Sequence, residues 1–362
     1  MTGDSAAAEV GVLTDVDVRG MVATLQPEWS VDAIERSPHG TDFVAMLSVR
    51  PSAGDRARDV VLKATTADFV APTIARSEPR FLELVSRETS IPVPDVFGYC
   101  DYHEEYPAPF YLIEHVEGEN YENRSGDLSP LGRERVLREA GRNLAELHEL
   151  GPIPSVGRVG VHDGDLAVLD TDDHPRHDDF RDWLLADCEE TLDAIADGGW
   201  FPELADDADR FADLVPDLRA FLRDSVPRLP EPDPPRYCHW DYRYGNLLLE
   251  PETGRTRAVL DWANLLAGDP VYNLAKAEFH LLKPVVGNDI RTATLRDIFL
   301  TAYADARTDW SLDRTARERL VLYRLPCRVD AMACLPLWYR DATPEERDDR
   351  AAELRRFAAR YV

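Results

Sequence analysis

The sequence predicts an α+β chain in two parts: an N-terminal lobe built on an antiparallel sheet with one main helix, then a mostly helical C-terminal lobe. Three observations predict it. Between residues 30 and 116, short apolar runs separated by turn residues read as a series of strands. One stretch, 72–87, interrupts that series with helical spacing. From residue 137 onward, apolar residues recur at three- and four-residue steps, the mark of a helix with one buried stripe. At 362 residues, 44% of them apolar, the chain is long enough for two lobes of ordinary domain size. The boundary is placed near Gly118, giving lobes 1–118 and 119–362.

Residues 13–25 read as a short amphipathic helix. A strand over 31–36, a polar turn over 37–42 and a strand over 43–49 form a hairpin with Gly40 at its turn. After the polar turn 51–59 comes Val60-Val61-Leu62-Lys63, an apolar strand ending in one of only three lysines, the others being Lys276 and Lys283. The helix over 72–87 carries Ile74, Phe81, Leu82 and Val85 at helical spacing, with Glu78 and Glu83 as its acids. Pro79 is tolerated only in a first turn, so the position of the helix start decides which acid faces inward. Pro92-Val93-Pro94 is extended, and strands follow near 96–100 and 110–115.

Beyond Gly118, Leu137, Ala140, Gly141, Leu144, Leu147 and His148 mark a helix, in which His148 reads as a buried structural residue. Residues 151–175 read as loop, and helices are expected over 180–196 and 204–222. The run Pro230-Glu231-Pro232-Asp233-Pro234-Pro235 is an extended lead into a strand that includes Cys238. The remainder is helical, with clear periodicity over 315–339 and 344–361.

The chemistry concentrates in His239-Trp240-Asp241-Tyr242-Arg243-Tyr244-Gly245-Asn246, followed by Ala258-Val259-Leu260-Asp261-Trp262. Phosphoryl transfer needs one carboxylate to take the proton of the attacking hydroxyl. It also needs an amide oxygen and a second carboxylate to hold magnesium on the nucleotide phosphates. Asp241, Asn246 and Asp261 stand in that order, and the step from Asp241 to Asn246 matches the catalytic loop H-R-D-L-x-x-x-N, with Trp240 in place of Arg. Arg243 stands two residues past the expected base, where it could reach a transferred phosphate.

Adding Leu247-Leu248-Leu249 and Gly268-Asp269-Pro270-x-x-Asn273-Leu274-Ala275, the pattern resembles the aminoglycoside phosphotransferase and choline kinase-like family. That resemblance implies a bilobal protein kinase-like fold, ATP and Mg²⁺ as cofactors, and transfer of the γ-phosphate to a hydroxyl of a small molecule. Three positions depart from the family pattern: Trp240 stands for a small residue, Arg243 for His and Asn273 for an acid. The first two leave the acceptor open; the third touches a structural hydrogen bond. On the same resemblance, Gly40 closes over the phosphates and Lys63 contacts them. Glu78, or alternatively Glu83, pairs with Lys63, and the backbone from Glu114 to Val116 meets the adenine edge. Trp338, Tyr339, Arg328 and Asp330 are implied as neighbours of the acceptor. A rival reading is a catalytically silent nucleotide-binding regulator. A protein kinase is disfavoured, because Asp261-Trp262 replaces Asp-Phe-Gly and no Ala-Pro-Glu element follows.

Composition narrows the partners. With 68 acids against 41 bases the formal charge is -27, a field that repels nucleic acid and anionic membrane. The scarcity of lysine and abundance of aspartate resemble proteins of salt-accumulating halophiles. Five cysteines, an odd number without C-x-x-C spacing, point to a reduced, cytoplasmic compartment. Residues 1–17 lack the pattern of a signal peptide, and no apolar run reaches the ~20 residues a membrane span needs.

Overall fold

The computed structural model describes residues 13–37, 42–52, 56–66, 71–282 and 289–362. Two compact units compose it. One comprises Met1–Arg124, Val159–Ala167 and Gly245–Leu265, the other Ser125–Arg158, Val168–Tyr244 and Leu266–Val362.

The first unit opens with α1 (Asp15–Leu25), whose start is set by a capping box in which Thr14 and Asp17 satisfy each other's backbone N–H. Strands β1 (Ser30–Arg36), β2 (Phe43–Arg50) and β3 (Arg58–Ala64) follow, then the single turn α2 (Pro72–Ala75), α3 (Ser77–Glu88), β4 (Val96–Cys100) and β5 (Phe110–Glu114). The strands form one antiparallel sheet in the order β1-β2-β3-β5-β4. Alternation in β3 turns Val60, Leu62 and Ala64 into a core shared with Val18, Met21 and Val22 of α1, and leaves Lys63 on the opposite face. The helix expected over 72–87 is two helices. Proline lacks the N–H that a helix interior needs, and beginning α3 at Ser77 puts Pro79 in its first turn. The hairpin turn with Gly40 lies outside the described residues.

Residues 151–175, expected as loop, contain β6 (Gly157–His162) and β7 (Asp165–Val168). Asp163 and Gly164 join them with positive φ (51° and 91°), as a two-residue hairpin turn of Asp-Gly type requires. That dipeptide was the available signal; the shortness of both strands and the two glycines of β6 obscured it.

The second unit is built from α4 (Pro130–Glu149), α5 (Phe180–Ala196) and α6 (Val215–Ser225). The helix expected over 204–222 starts only at Val215, because Pro216 is accommodated in a first turn. Then come β8 (Arg236–Cys238), and, belonging to the first unit, the hairpin β9 (Leu247–Leu249) and β10 (Thr256–Val259). The chain ends with β11 (Leu266–Gly268), α7 (Pro270–Leu282), α8 (Asp289–Ala306), α9 (Arg314–Ala333), the short α10 (Leu335–Trp338) and α11 (Pro344–Ala358). Helices α4 and α8 approach closely at Gly141, where a Cβ would come within 2.5 Å of the Phe299 carbonyl oxygen. Among the described residues no helix is long and apolar enough to cross a membrane.

Candidate active site

In the first unit the functional side chains converge on Glu78. Strand β3 pairs with β5 so that Lys63 lies directly opposite Tyr111, and both reach the same carboxylate. Lys63 Nζ is 2.7 Å from Glu78 Oε2, and the Tyr111 hydroxyl donates to that oxygen at 2.5 Å. Glu78 Oε1 accepts the backbone N–H of Trp262 at 3.3 Å, which ties α3 to the segment after β10. Glu78 is buried, whereas Glu83 is exposed. Burial pushes the Lys63 ammonium down, but the charges of Glu78 and Asp261 outweigh it and hold the group well above the ordinary lysine value. Asp261 Oδ1 stands 3.5 Å from Lys63 Nζ, on a half-exposed side chain. Sequence reasoning missed Tyr111; its signal was a polar-tipped aromatic in the strand that follows a helix carrying the buried acid.

Asn246 and Asp261 are brought together by the β9–β10 hairpin. Leu247 pairs with Val259, and the Leu260 N–H donates to the Asn246 carbonyl oxygen at 2.8 Å. Asp261 takes a positive φ of 60°, in the left-handed region. Such strain persists only where the surroundings hold it, and it clusters at functional sites. The segment after β5 is locked to this hairpin: Glu119 exchanges two backbone hydrogen bonds with Leu249, and a Cβ on Gly118 would meet Leu248 Cβ at 2.9 Å. Glu114, in the same stretch, donates its N–H to the Asp95 carbonyl oxygen at 2.8 Å.

In the second unit Asp241 is held from several sides. Its N–H donates to His239 Nδ1 at 3.2 Å, and Arg243 Nε donates to its Oδ2 at 2.6 Å. His280 of α7 faces the other oxygen, with Nε2 3.7 Å from Oδ1. Burial pushes the Asp241 carboxyl up, but the groups facing it outweigh burial and hold it below the usual carboxylate range. Burial also drives the His280 ring down to about 3, so at neutral pH it is uncharged and Arg243 is the cation that holds Asp241 ionised. His280 carried no motif in the sequence and was not anticipated.

Below this loop lies a fully bonded scaffold. Asn273 accepts the His239 N–H at 3.1 Å, donates to the His239 carbonyl oxygen at 2.8 Å, and meets His148 Nε2 at 3.1 Å. The Tyr303 hydroxyl satisfies the other nitrogen of His148 at 2.8 Å. An acid at position 273 could not make the donation to the His239 carbonyl when ionised, so the amide suits this bracket. Asp269 is fully buried against Arg319 at 2.9 Å and accepts the Tyr323 hydroxyl at 2.9 Å; it braces the loop. Cys238 is buried, which pushes its thiol well above the ordinary value and leaves it a poor nucleophile. Trp240 packs in an aromatic group with Trp183 and Tyr272, with Lys276 Nζ 3.6 Å and Arg158 Cζ 4.0 Å from its ring centroid. Lys276 is in turn paired with Asp330 at 2.7 Å. Of the other expected acceptor neighbours, Trp338 stacks edge-on against His280 with centroids 5.7 Å apart. Arg328 instead lies over the Phe357 ring at 3.8 Å.

No cluster of three or more His, Cys, Asp or Glu side chains suited to a metal ion occurs among the described residues. The oxygen pair of Asn246 and Asp261 nonetheless suits a hard cation that keeps most of its waters.

The phosphotransferase enzyme family matches residues 51–319 of the chain. Among solved structures, the GDP complex of wild-type aminoglycoside 2'-phosphotransferase-IIIa aligns with a TM-score of 0.59 at 14% identity, over 96% of this chain and 99% of that one. A ternary complex of a thermostable mutant of aminoglycoside phosphotransferase APH(4)-Ia with AMP-PNP and hygromycin B aligns at 0.54 and 16% identity, over 95% and 97%. These likenesses establish the kinase-like α+β fold. Mouse acyl-CoA dehydrogenase family member 10 is 22% identical over 220 residues, 60% of this chain and 18% of that protein. The chain spans about a fifth of the length of the curated relatives it matches.

Proposed function

Because the chain belongs to the phosphotransferase enzyme family, we propose that it is an ATP- and Mg²⁺-dependent kinase that phosphorylates a hydroxyl of a small molecule. The observation that carries this reading is the Lys63–Glu78–Asp261 constellation, with an ion pair of 2.7 Å and Asp261 3.5 Å from the same ammonium. The AMP-PNP and GDP complexes of the two solved structures support a nucleotide as phosphoryl donor.

In this reading Lys63, steadied by Glu78 and Tyr111, contacts the nucleotide phosphates. The backbone from Glu114 to Val116 serves the adenine edge through groups other than the Glu114 N–H, which is engaged by Asp95. Asn246 and Asp261 hold the magnesium, which neutralises charge on the phosphates when bound. Asp241, ionised and oriented by His239 and Arg243, accepts the proton of the acceptor hydroxyl. The hydroxyl oxygen bonds to the γ-phosphorus as the bond from that phosphorus to the bridging oxygen breaks, and ADP departs with the electron pair. Arg243 lies beside the oxygen of Asp241 and steadies charge on the phosphoryl group in transit.

The test is nucleotide turnover in molar KCl with Mg²⁺ across hydroxylated metabolites and aminoglycosides, wild type beside Asp241→Asn. Acceptor-stimulated ADP release that falls by about 10²- to 10⁴-fold in the variant is the expected result. Nucleotide binding without turnover on any acceptor would favour the silent regulator instead.

A further inference from the structure

Helix α7 presents two side chains, one turn apart, to consecutive residues of the catalytic loop. Lys276 lies on the Trp240 ring and His280 faces Asp241. The first contact is closed, because Lys276 is paired with Asp330 and covered by the indole. The second is open. The 3.7 Å between His280 Nε2 and Asp241 Oδ1 is too long for a direct hydrogen bond. It is short enough for one oxygen atom to be bonded to both groups at about 2.8 Å.

No hydrogen bond joins the His280 ring to another described residue, and its side chain is 6% exposed. Its contacts are aromatic: Phe279 at 5.1 Å and Trp338 at 5.7 Å hold the ring edge-on. An imidazole held in a fixed orientation without a protein hydrogen bond is placed to bond a group that enters beside Asp241.

We propose that His280 is a further catalytic residue that binds the acceptor hydroxyl together with Asp241. This rests on the reading of Asp241 as the base. The hydroxyl donates its proton to Asp241 Oδ1 and accepts the Nε2–H of His280 in one lone pair. Its second lone pair is thereby aimed for attack on the γ-phosphorus. The proton ends on Asp241, and His280 keeps its own throughout. The ring suits this task because it is uncharged: burial pushes it to about 3, with Lys276 and Arg243 opposing and Asp241 and Asp330 favouring protonation. An imidazolium would instead pair with the carboxylate and block it as a base.

The experiment needs no identified acceptor, since water takes the hydroxyl's place in slow hydrolysis of Mg·ATP. Wild type, His280→Leu, His280→Gln and Asp241→Asn are compared as full chains. His280→Leu is expected to lower kcat roughly 10- to 100-fold with the KM for ATP unchanged within about twofold. His280→Gln, which keeps an N–H donor, is expected to recover most of that loss. Nitrogen-15 NMR of the wild-type imidazole gives a readout apart from activity: a neutral ring with its proton on Nε2 from pH 5 to 8 is expected. Wild-type turnover in His280→Leu beside loss in Asp241→Asn would overturn the inference alone, as would a ring that titrates near 6.5. Equal loss in both His280 variants with lowered thermal stability would also overturn it, in favour of a packing role. Full turnover in Asp241→Asn would remove the base reading and this inference together.

Discussion

Replacing Glu78 by Gln tests the centre of the first unit most directly. The carboxylate receives Lys63 at 2.7 Å, the Tyr111 hydroxyl at 2.5 Å and the Trp262 N–H at 3.3 Å, on a side chain 6% exposed. Removing one partner of a buried pair costs about 3–5 kcal/mol, because the other charge is left uncompensated. Two features reduce that here. Asp261 remains 3.5 Å from the ammonium as a second countercharge, and the Gln carbonyl can still accept from Tyr111 or Trp262. The expected loss is therefore about 2–3 kcal/mol. The Gln amide also points donors at Lys63, so the lysine loses its fixed reach and the KM for nucleotide rises. Guanidinium unfolding in constant KCl, with Glu83→Gln as the exposed control, measures the first effect, and steady-state kinetics the second. The control should stay within about 0.5 kcal/mol of wild type. Equal losses in the two variants, or a Glu78→Gln protein as stable as wild type, would refute the reasoning.

Other consequences follow from the same geometry. Arg243→Gln removes the cation bonded to Asp241 Oδ2, so the carboxyl rises and the acid limb of the kcat/KM profile moves to higher pH. Gly141→Ala forces a Cβ against the Phe299 carbonyl oxygen and should cost about 1–3 kcal/mol in thermal or chemical unfolding, with little effect on nucleotide affinity. His148 is driven to about 3 by burial, below its unfolded value near 6.5. The unfolded chain therefore binds a proton that the fold refuses. Stability falls as pH drops from about 6.5 toward 3, by up to ~1.4 kcal/mol per pH unit from this group. His148→Gln should flatten that slope in unfolding measured between pH 6.5 and 4.5; an unchanged slope would place the imidazole in contact with solvent.

Much of the candidate site is legible in the chain because its parts are local. Asp241, Asn246 and Asp261 fall within one turn-and-hairpin segment, and Lys63 ends an apolar strand whose alternation decides which way it points. The rest failed locally for identifiable reasons. Beginning α3 at Ser77 rather than near residue 72 follows from Pro79, yet the proline alone left Glu78 and Glu83 both open. The β6–β7 hairpin was hidden by strands of six and four residues, although Asp163-Gly164 announced its turn. The backbone proposed to face adenine was read without one constraint, that the Glu114 N–H is spent on Asp95.

The sequence by itself determined the α+β class, the order of the residues proposed for phosphoryl transfer, the helical character of the second half and the acidic composition. Each of these is a matter of period, spacing or count along the chain. Only the tertiary structure decided which groups share an oxygen. Tyr111 reaches Glu78 because register sets it opposite Lys63. Asn273 bridges His148 and His239 across 125 and 34 residues of chain. His280 meets Asp241 because α7 packs against the catalytic loop, 39 residues later in sequence. Hydrogen bonds and ion pairs act over about 3 Å. Partners distant in sequence come within that range only through packing, which no local pattern records.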